Sequence, residues 1–294
     1  MERILQYTVS GLSQGSLYAL VAIGVVLIYR SNRVLNFAHG DVTTAGTFIA
    51  LSLMLMKMNW WLAAILAMIL GALISIIFYF AILIPAQRRE ATPLGQVILT
   101  LGFGLILQGL ILRFCNTAEP QNFPFPLSDT KVFMFGDIIV SHLSLGTLVV
   151  GIVGSLLFYL LIQKTRIGLA MRATSENLPA AQTLGIPTRS ILALSWGMAA
   201  FIGTLAGLFL AAQLLIDPFF MLEPFLKGFA AAILGGLNSL PGAIVGGLTL
   251  GVVEALFGGF ISVAFKNTLA FLIIIVVLVF RPEGLLGKEF VERI

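Results

Sequence analysis

A chain of 294 residues with 59% hydrophobic side chains, only 10% charged ones and a mean hydropathy of +1.05 is too apolar for a water-soluble domain, where about a quarter of residues carry charge. Its net charge is only +4, and the basic residues fall between apolar runs, which argues against a nucleic-acid partner and for orientation in a bilayer with lipid around it. The one cysteine, Cys115, allows no internal disulfide and has no ligand cluster near it in sequence, and neither a metal nor another cofactor is expected.

The predicted fold is all-α, a polytopic bundle forming a single transmembrane domain over residues 1–294, with eight to nine membrane segments including a broken half-helix. Apolar runs of spanning length fall at 5–29, 36–56, 61–84, 94–113, 138–162, 190–214, 240–262 and 264–280, with a shorter piece at 225–237. The first run lacks a small-residue cleavage site and is read as a helix, not a signal peptide. Trp60 and Trp61 mark a membrane interface.

Within the first run, Gly11, Ser13 and Gly15 match a nucleophile elbow, but that motif needs a strand, turn and helix in a hydrolase sheet; here it is a chance match inside a helix. "NFAHGD", Asn36 to Asp41, puts an amide, an imidazole, Gly40 and a carboxylate at the start of the second run. Two readings are open. Asn36 and His39 line a polar pathway, or Asn36 or Asp41 caps the following helix.

Gln108, Gln213 and Glu254 lie in apolar runs. The amides are read as interhelical hydrogen-bonding groups, and Glu254 as either a functional carboxylate or one bonded to a neighbouring helix. Thirteen residues at about 1.5 Å each cannot cross a core about 30 Å thick, so 225–237 is a half-helix. It breaks at "GGLNSLPG", where Gly235 and Gly236 permit unusual backbone angles and Pro241 suits the start of the next helix. Glycines four apart, 203/207, 242/246 and 247/251, form packing seams.

Eleven of the seventeen basic residues, Arg30, Arg33, Arg88, Arg89, Lys164, Arg166, Arg172, Arg189, Arg281, Lys288 and Arg293, gather on one side if the runs alternate. That side is cytoplasmic. Arg3, Lys57, Arg113, Lys131, Lys227 and Lys266 scatter on the other. The N-terminus is then outside and the C-terminus inside, which requires an odd number of crossings, so 225–237 counts as a ninth, partial one.

The polar stretch from Lys164 to Arg189 carries a short helix. Ser175 or Asn177 is its N-cap, Pro179 falls in the first turn, Ala180 to Leu184 continue it, Gly185 is a left-handed stop and Pro187 prevents resumption. So short a helix is marginal in water. Its Ala, Leu and Ile face either docks in a groove of another protein or lies on the bilayer surface.

Five segments together, "GLSQGSLYALVAIGVVLIY", "RVLNFAHGD", "RIGLAMRATSENLPAAQTLGI", "GFAAAILGGLNSLPGAIVGG" and "RPEGLLG", resemble the permease subunits of the ABC importers for branched-chain amino acids and related amides. The resemblance implies a non-enzymatic permease in a bacterial or archaeal inner membrane. Its partners would be two cytoplasmic ABC ATPase subunits, a second permease subunit, identical or homologous, and a periplasmic or lipid-anchored substrate-binding protein. It implies that Arg172, Glu176, Asn177, Pro179, Ala180, Ala181, Leu184, Gly185 and Ile186 form an ATPase-coupling loop, and that Asn36, His39, Gly40, Gly235, Gly236 and Asn238 shape the translocation path. The stretch from Cys115 to Asp137 should help receive the binding protein. An ion-coupled secondary transporter or channel remains the alternative, with a membrane enzyme a further rival.

Overall fold

The computed structural model describes residues 1–115, 119–135, 138–281 and 283–287; Pro282, Lys288 and Arg293, part of the sequence reading, lie outside them. Helices dominate because continuous apolar sequence leaves the backbone only its own groups as hydrogen-bond partners. Among the described residues six helices are long and apolar enough to cross a membrane: α1 (Glu2–Asn32), α3 continued to Arg88, α5 (Pro93–Phe114), α6 (His142–Lys164), α9 (Thr188–Ala211) and α11 (Leu240–Phe260). α2 (His39–Leu55) is shorter at 17 residues, α10 (Leu222–Gly235) has 14 and α12 (Lys266–Phe280) has 15.

The long third helix is not uniform. α3 (Trp60–Phe78) passes through a π-helical turn, Tyr79–Leu83, into α4 (Ile84–Arg88). Pro85 stands at the start of α4, where its missing N–H and its ring disturb the regular ladder of the preceding turn. The run expected at 138–162 begins as a helix only at His142. Ile138–Ser141 is instead strand β2, antiparallel to β1 (Val132–Phe135). Ser141 ends the strand by accepting a hydrogen bond from Ser144 N at 3.0 Å, an N-cap that hydropathy does not report.

The residues gather into two units. The first comprises Met1–Val26, Leu127–Leu156 and Leu226–Ile294. Its centre is a seam of bare backbone. A Cβ built on Gly11 would stand 2.7 Å from Gly251 O, and one on Gly15 2.7 Å from Gly247 O. The residues that mimicked a nucleophile elbow are therefore half of a glycine-on-glycine crossing. Ser13 Oγ donates to Ser144 O at 2.9 Å, and Ser16 Oγ to Ser13 O at 2.7 Å. At the hairpin, Gln6 Nε2 donates to Ile139 O at 2.7 Å and its Oε1 accepts from Ile139 N at 2.9 Å, closing one strand edge.

The second unit comprises Leu27–Pro126 and Leu157–Phe225. α2, α3 and α9 pack mutually, with α5 against α2. Thr204 of α9 is wedged between Gly46 of α2 and Gly71 of α3, and Gly203 and Gly207 admit Thr43 and Thr47. Trp196 is fully buried beside Phe78, centroids 5.5 Å apart, and Phe78 stacks on Phe103 at 4.3 Å. α5 turns Leu94, Ile98, Leu105 and Leu110 outward, as a lipid-facing surface does.

The seam gives a direct test. Gly251→Leu should destabilise the chain by about 3 kcal/mol or more through overpacking against backbone, read as loss of monodisperse protein in detergent. Gly102→Ala and Gly109→Ala, whose positions have nothing within 4 Å, should leave the profile unchanged.

Candidate functional site: the polar loop and the helix break

The polar loop holds two helices where the sequence reading expected one. α7 (Arg166–Glu176) precedes α8 (Leu178–Thr183). α7 begins on Thr165, whose hydroxyl accepts from Gly168 N at 3.2 Å, and Gly168 lies against the backbone of Ile162. Arg172 fastens α7 to the end of α6, Nη1 donating to Gln163 Oε1 at 2.9 Å and Nη2 to Gln163 O at 3.2 Å. Apolar periodicity missed α7 because Arg166, Arg172, Thr174 and Ser175 interrupt it.

α8 follows the expected signals closely. Asn177, not Ser175, is the N-cap and accepts from Ala180 N at 2.9 Å; Ser175 lies inside α7, its hydroxyl donating to Arg172 O. Pro179 occupies the first turn. At the other end Gly185 has φ +76°, Gly185 N donates to Gln182 O at 3.0 Å and Ile186 N to Ala181 O at 3.1 Å. These two bonds form a Schellman stop. Ala181 is 2% exposed and holds the helix down, whereas Leu184 is 80% exposed and Leu178, Pro179, Ala180 and Glu176 also face outward. Ile186 is half-buried. Gln182 Nε2 reaches Thr188 Oγ1 at 3.3 Å, tying α8 to the start of α9.

In "NFAHGD", Asn36 Oδ1 accepts from Ala38 N at 3.0 Å, just before α2, and the helix has no side-chain cap. Asp41 does not cap. Its Oδ1 accepts from Gln108 Nε2 at 2.7 Å, so Gln108 is the interhelical donor expected of it. His39 is buried at 1% exposure, its ring 6.2 Å from Phe225, and Gly40 presses against the same phenylalanine. His39 and Gly40 thus share Phe225, and Asn36 joins them through the backbone, His39 N donating to Asn36 O at 3.4 Å. Gln213 is not in a helix: it sits past the end of α9, exposed.

Gly235, Gly236 and Asn238 belong to the turn that joins α10 to α11. Gly236 has φ +104°, a conformation that needs glycine. Ser239 starts α11 by accepting from Gly242 N at 3.0 Å, with Pro241 in the first turn. Gly235 packs on Gly242 and Gly246 on Ala231, so the two helices form a tight antiparallel hairpin. The carbonyls at the end of α10 find donors in the segment after α12: Leu285 N donates to Leu234 O at 2.8 Å and Leu286 N to Gly235 O at 3.1 Å. "RPEGLLG" is therefore the outside partner of the helix break.

Glu254 is buried on α11 and bonded to Lys227 of α10, Nζ to Oε1 2.6 Å, which bears out the bonded reading. Lys227, counted in the sequence only among the six scattered basic residues, is a buried partner 6% exposed.

The sequence pattern of the family described as "Branched-chain amino acid transport system / permease component" matches residues 7–279. The chain belongs to that family. It is 33% identical to the high-affinity branched-chain amino acid transport system permease protein BraD of Pseudomonas aeruginosa, over 99% of this chain and 98% of that one. To LivH of Escherichia coli K12 it is 32% identical over 99% and 97%, and to a probable LivH of Methanocaldococcus jannaschii 31% over 94% and 90%. The solved structure of PsaBC from Streptococcus pneumoniae in complex with Fab shares the fold, at a TM-score of 0.51 and 14% identity, over 96% of this chain and 93% of that one. A membrane permease component is a transporter and not an enzyme.

Three substitutions probe these local structures. Asn177→Ala and Gly185→Ala should each cost about 1 kcal/mol of α8 stability, seen as faster amide exchange over residues 178–184. Glu254→Gln should lower thermal stability by roughly 3–5 kcal/mol, because it strands a buried ammonium.

Proposed function

We propose that this permease imports branched-chain amino acids, or related small amino acids or amides, across a bacterial or archaeal inner membrane, as a single multi-pass domain of an ABC transporter. A pair of permease subunits, identical or homologous, forms the pathway. Two ATPases on the cytoplasmic side drive it, and an external substrate-binding protein delivers the solute. Family membership, and relatives matched over nearly their whole length that are named as branched-chain amino acid transport permeases, support the substrate class.

The observation that carries the mechanism is the outward face of α8. A six-residue helix capped at both ends, with Leu184 four-fifths exposed, Ala180 and Leu178 beside it and Ala181 holding it down, suits a lever seated in a groove of a partner. Residues Arg172, Glu176, Asn177, Pro179, Ala180, Ala181, Leu184, Gly185 and Ile186 make this coupling loop, some by contact and some by holding the shape. ATP binding moves the groove, α8 moves with it, and the hydrogen bond from Gln182 to Thr188 passes the motion into α9. The pathway then switches by alternating access.

Asn36, His39 and Gly40, and separately Gly235, Gly236 and Asn238, are the proposed path-forming residues. Both groups sit at helix ends; the start of α2 offers partial positive charge to a polar solute, whereas the last carbonyls of α10 already have donors and its turn contributes shape. Nine crossings, with α10 as the partial one, are supported by direction: α10 and α11 are antiparallel, and the end of α10 meets the segment following α12. At 14 residues α10 is about 21 Å long, short of the hydrocarbon thickness.

Ala180→Arg with Leu184→Arg should leave the permease folded but abolish ATPase co-purification and reduce leucine uptake by at least about tenfold, since it buries charge at an apolar contact. Retention of the ATPase by this variant, or leucine accumulation by liposomes holding the permease alone, would overturn the coupling assignment.

A further inference from the structure

Inside the hairpin of α10 and α11, Lys227 Nζ lies 2.6 Å from Glu254 Oε1, the side chains 8% and 1% exposed. Lys266, in the first turn of α12, brings a second ammonium to 3.6 Å from the same oxygen. Lys227 also lies over the Tyr18 ring, 5.8 Å from its centroid. Glu254 Oε2 is buried and accepts no hydrogen bond from the described residues.

As a fastener alone this is a poor choice of residues. Desolvating two charges consumes most of their attraction, and apolar side chains of similar volume join helices equally well. These helices already hold each other through Gly235 on Gly242 and Gly246 on Ala231. Ionisable groups within membrane segments characteristically mark a solute route.

An amino acid in its zwitterionic form carries the same two charges on one carbon. It can exchange into the pair, its carboxylate replacing Glu254 at Lys227 and its ammonium replacing Lys227 at Glu254, where Oε2 is an unused acceptor. The pair with Lys266 has one net positive charge, which favours approach by the carboxylate end. We propose that Lys227 and Glu254 form a recognition pair for the charged end of an amino-acid substrate, closed on itself in this structure and opened by the substrate's own two charges. The inference rests on the amino-acid import reading above and deepens it.

Two double substitutions remove the charges while keeping volume: K227M with E254L, and K227Q with E254Q. Each is compared with wild type in the full complex with its ATPase and binding protein. Both doubles should assemble and melt no lower than wild type, yet import leucine at least about a hundredfold more slowly, two charge-assisted bonds having gone. In the permease–ATPase complex without binding protein, leucine should raise the melting temperature of wild type. Leucinamide, lacking the carboxylate, and 4-methylpentanoate, lacking the ammonium, should not, and leucine should lose its effect in the doubles. Wild-type import rates in either double would overturn the pair, as would equal protection by leucinamide; the ligand series decides the matter even if neither double assembles. A wild-type complex that imports no amino acid removes the import reading and the pair with it, whereas leucine import by both wild type and double removes the pair alone.

Discussion

The whole arrangement depends on one constraint: in hydrocarbon a backbone carbonyl has no water to turn to, so every interrupted helix must find its hydrogen-bond donors in protein. Most of the chain meets this by remaining helical. At Gly235 it cannot, because the helix stops there, and the solution comes from Leu285 and Leu286 beyond α12. Those two N–H groups let α10 end, and the ending lets the chain reverse into α11. Gly236 and Gly284, with φ of +104° and +80°, make the approach possible, since a Cβ on either would meet the other segment's backbone.

Close contact without a hydrophobic driving force explains the glycines elsewhere. Lipid tails are as apolar as leucine, so helices gain from association chiefly where backbones come near enough for dispersion contacts and interhelical bonds. Gly11 and Gly15 against Gly247 and Gly251 in one unit, and Gly46 and Gly71 around Thr204 in the other, are the same answer. Small polar groups travel with them: the hydroxyls of Ser13, Ser16, Thr43 and Thr47 donate to carbonyls, which lets a polar residue occupy a crowded helix face at little desolvation cost.

How far these features were legible follows from their range in sequence. The long helices announce themselves through hydropathy, and α8 through Asn177, Pro179 and Gly185, each acting within four residues of its own position. The helix break at "GGLNSLPG" was legible for the same reason. What sequence reasoning missed is what distant residues decide. Glu254 stood out as a carboxylate in an apolar run, but its partner Lys227, 27 positions away, was counted only for its side of the membrane. "RPEGLLG" served as a mark of resemblance, and its bonding to α10 has no local signal. α7 and the small hairpin escaped because neither is a long apolar run, and the start of α6 moved because Ile138–Ser141 is apolar enough to extend a hydropathy window while pairing as a strand. Among the candidate site residues, Ala181 was placed with the contacting face yet is the anchor beneath it, and Asp41 was a candidate cap yet bonds to Gln108.

The bonding of Leu285 and Leu286 to the end of α10 also bears on how the protein is made. The ribosome completes α10 at Gly235, well before Leu285 and Leu286 are made, so the terminal carbonyls of α10 must wait beside water, the translocation machinery or a neighbouring helix until the segment after α12 emerges. The end of the hairpin is therefore provisional during synthesis until the segment after α12 returns to it, and a chain halted before Leu285 leaves the carbonyls of Leu234 and Gly235 without these donors.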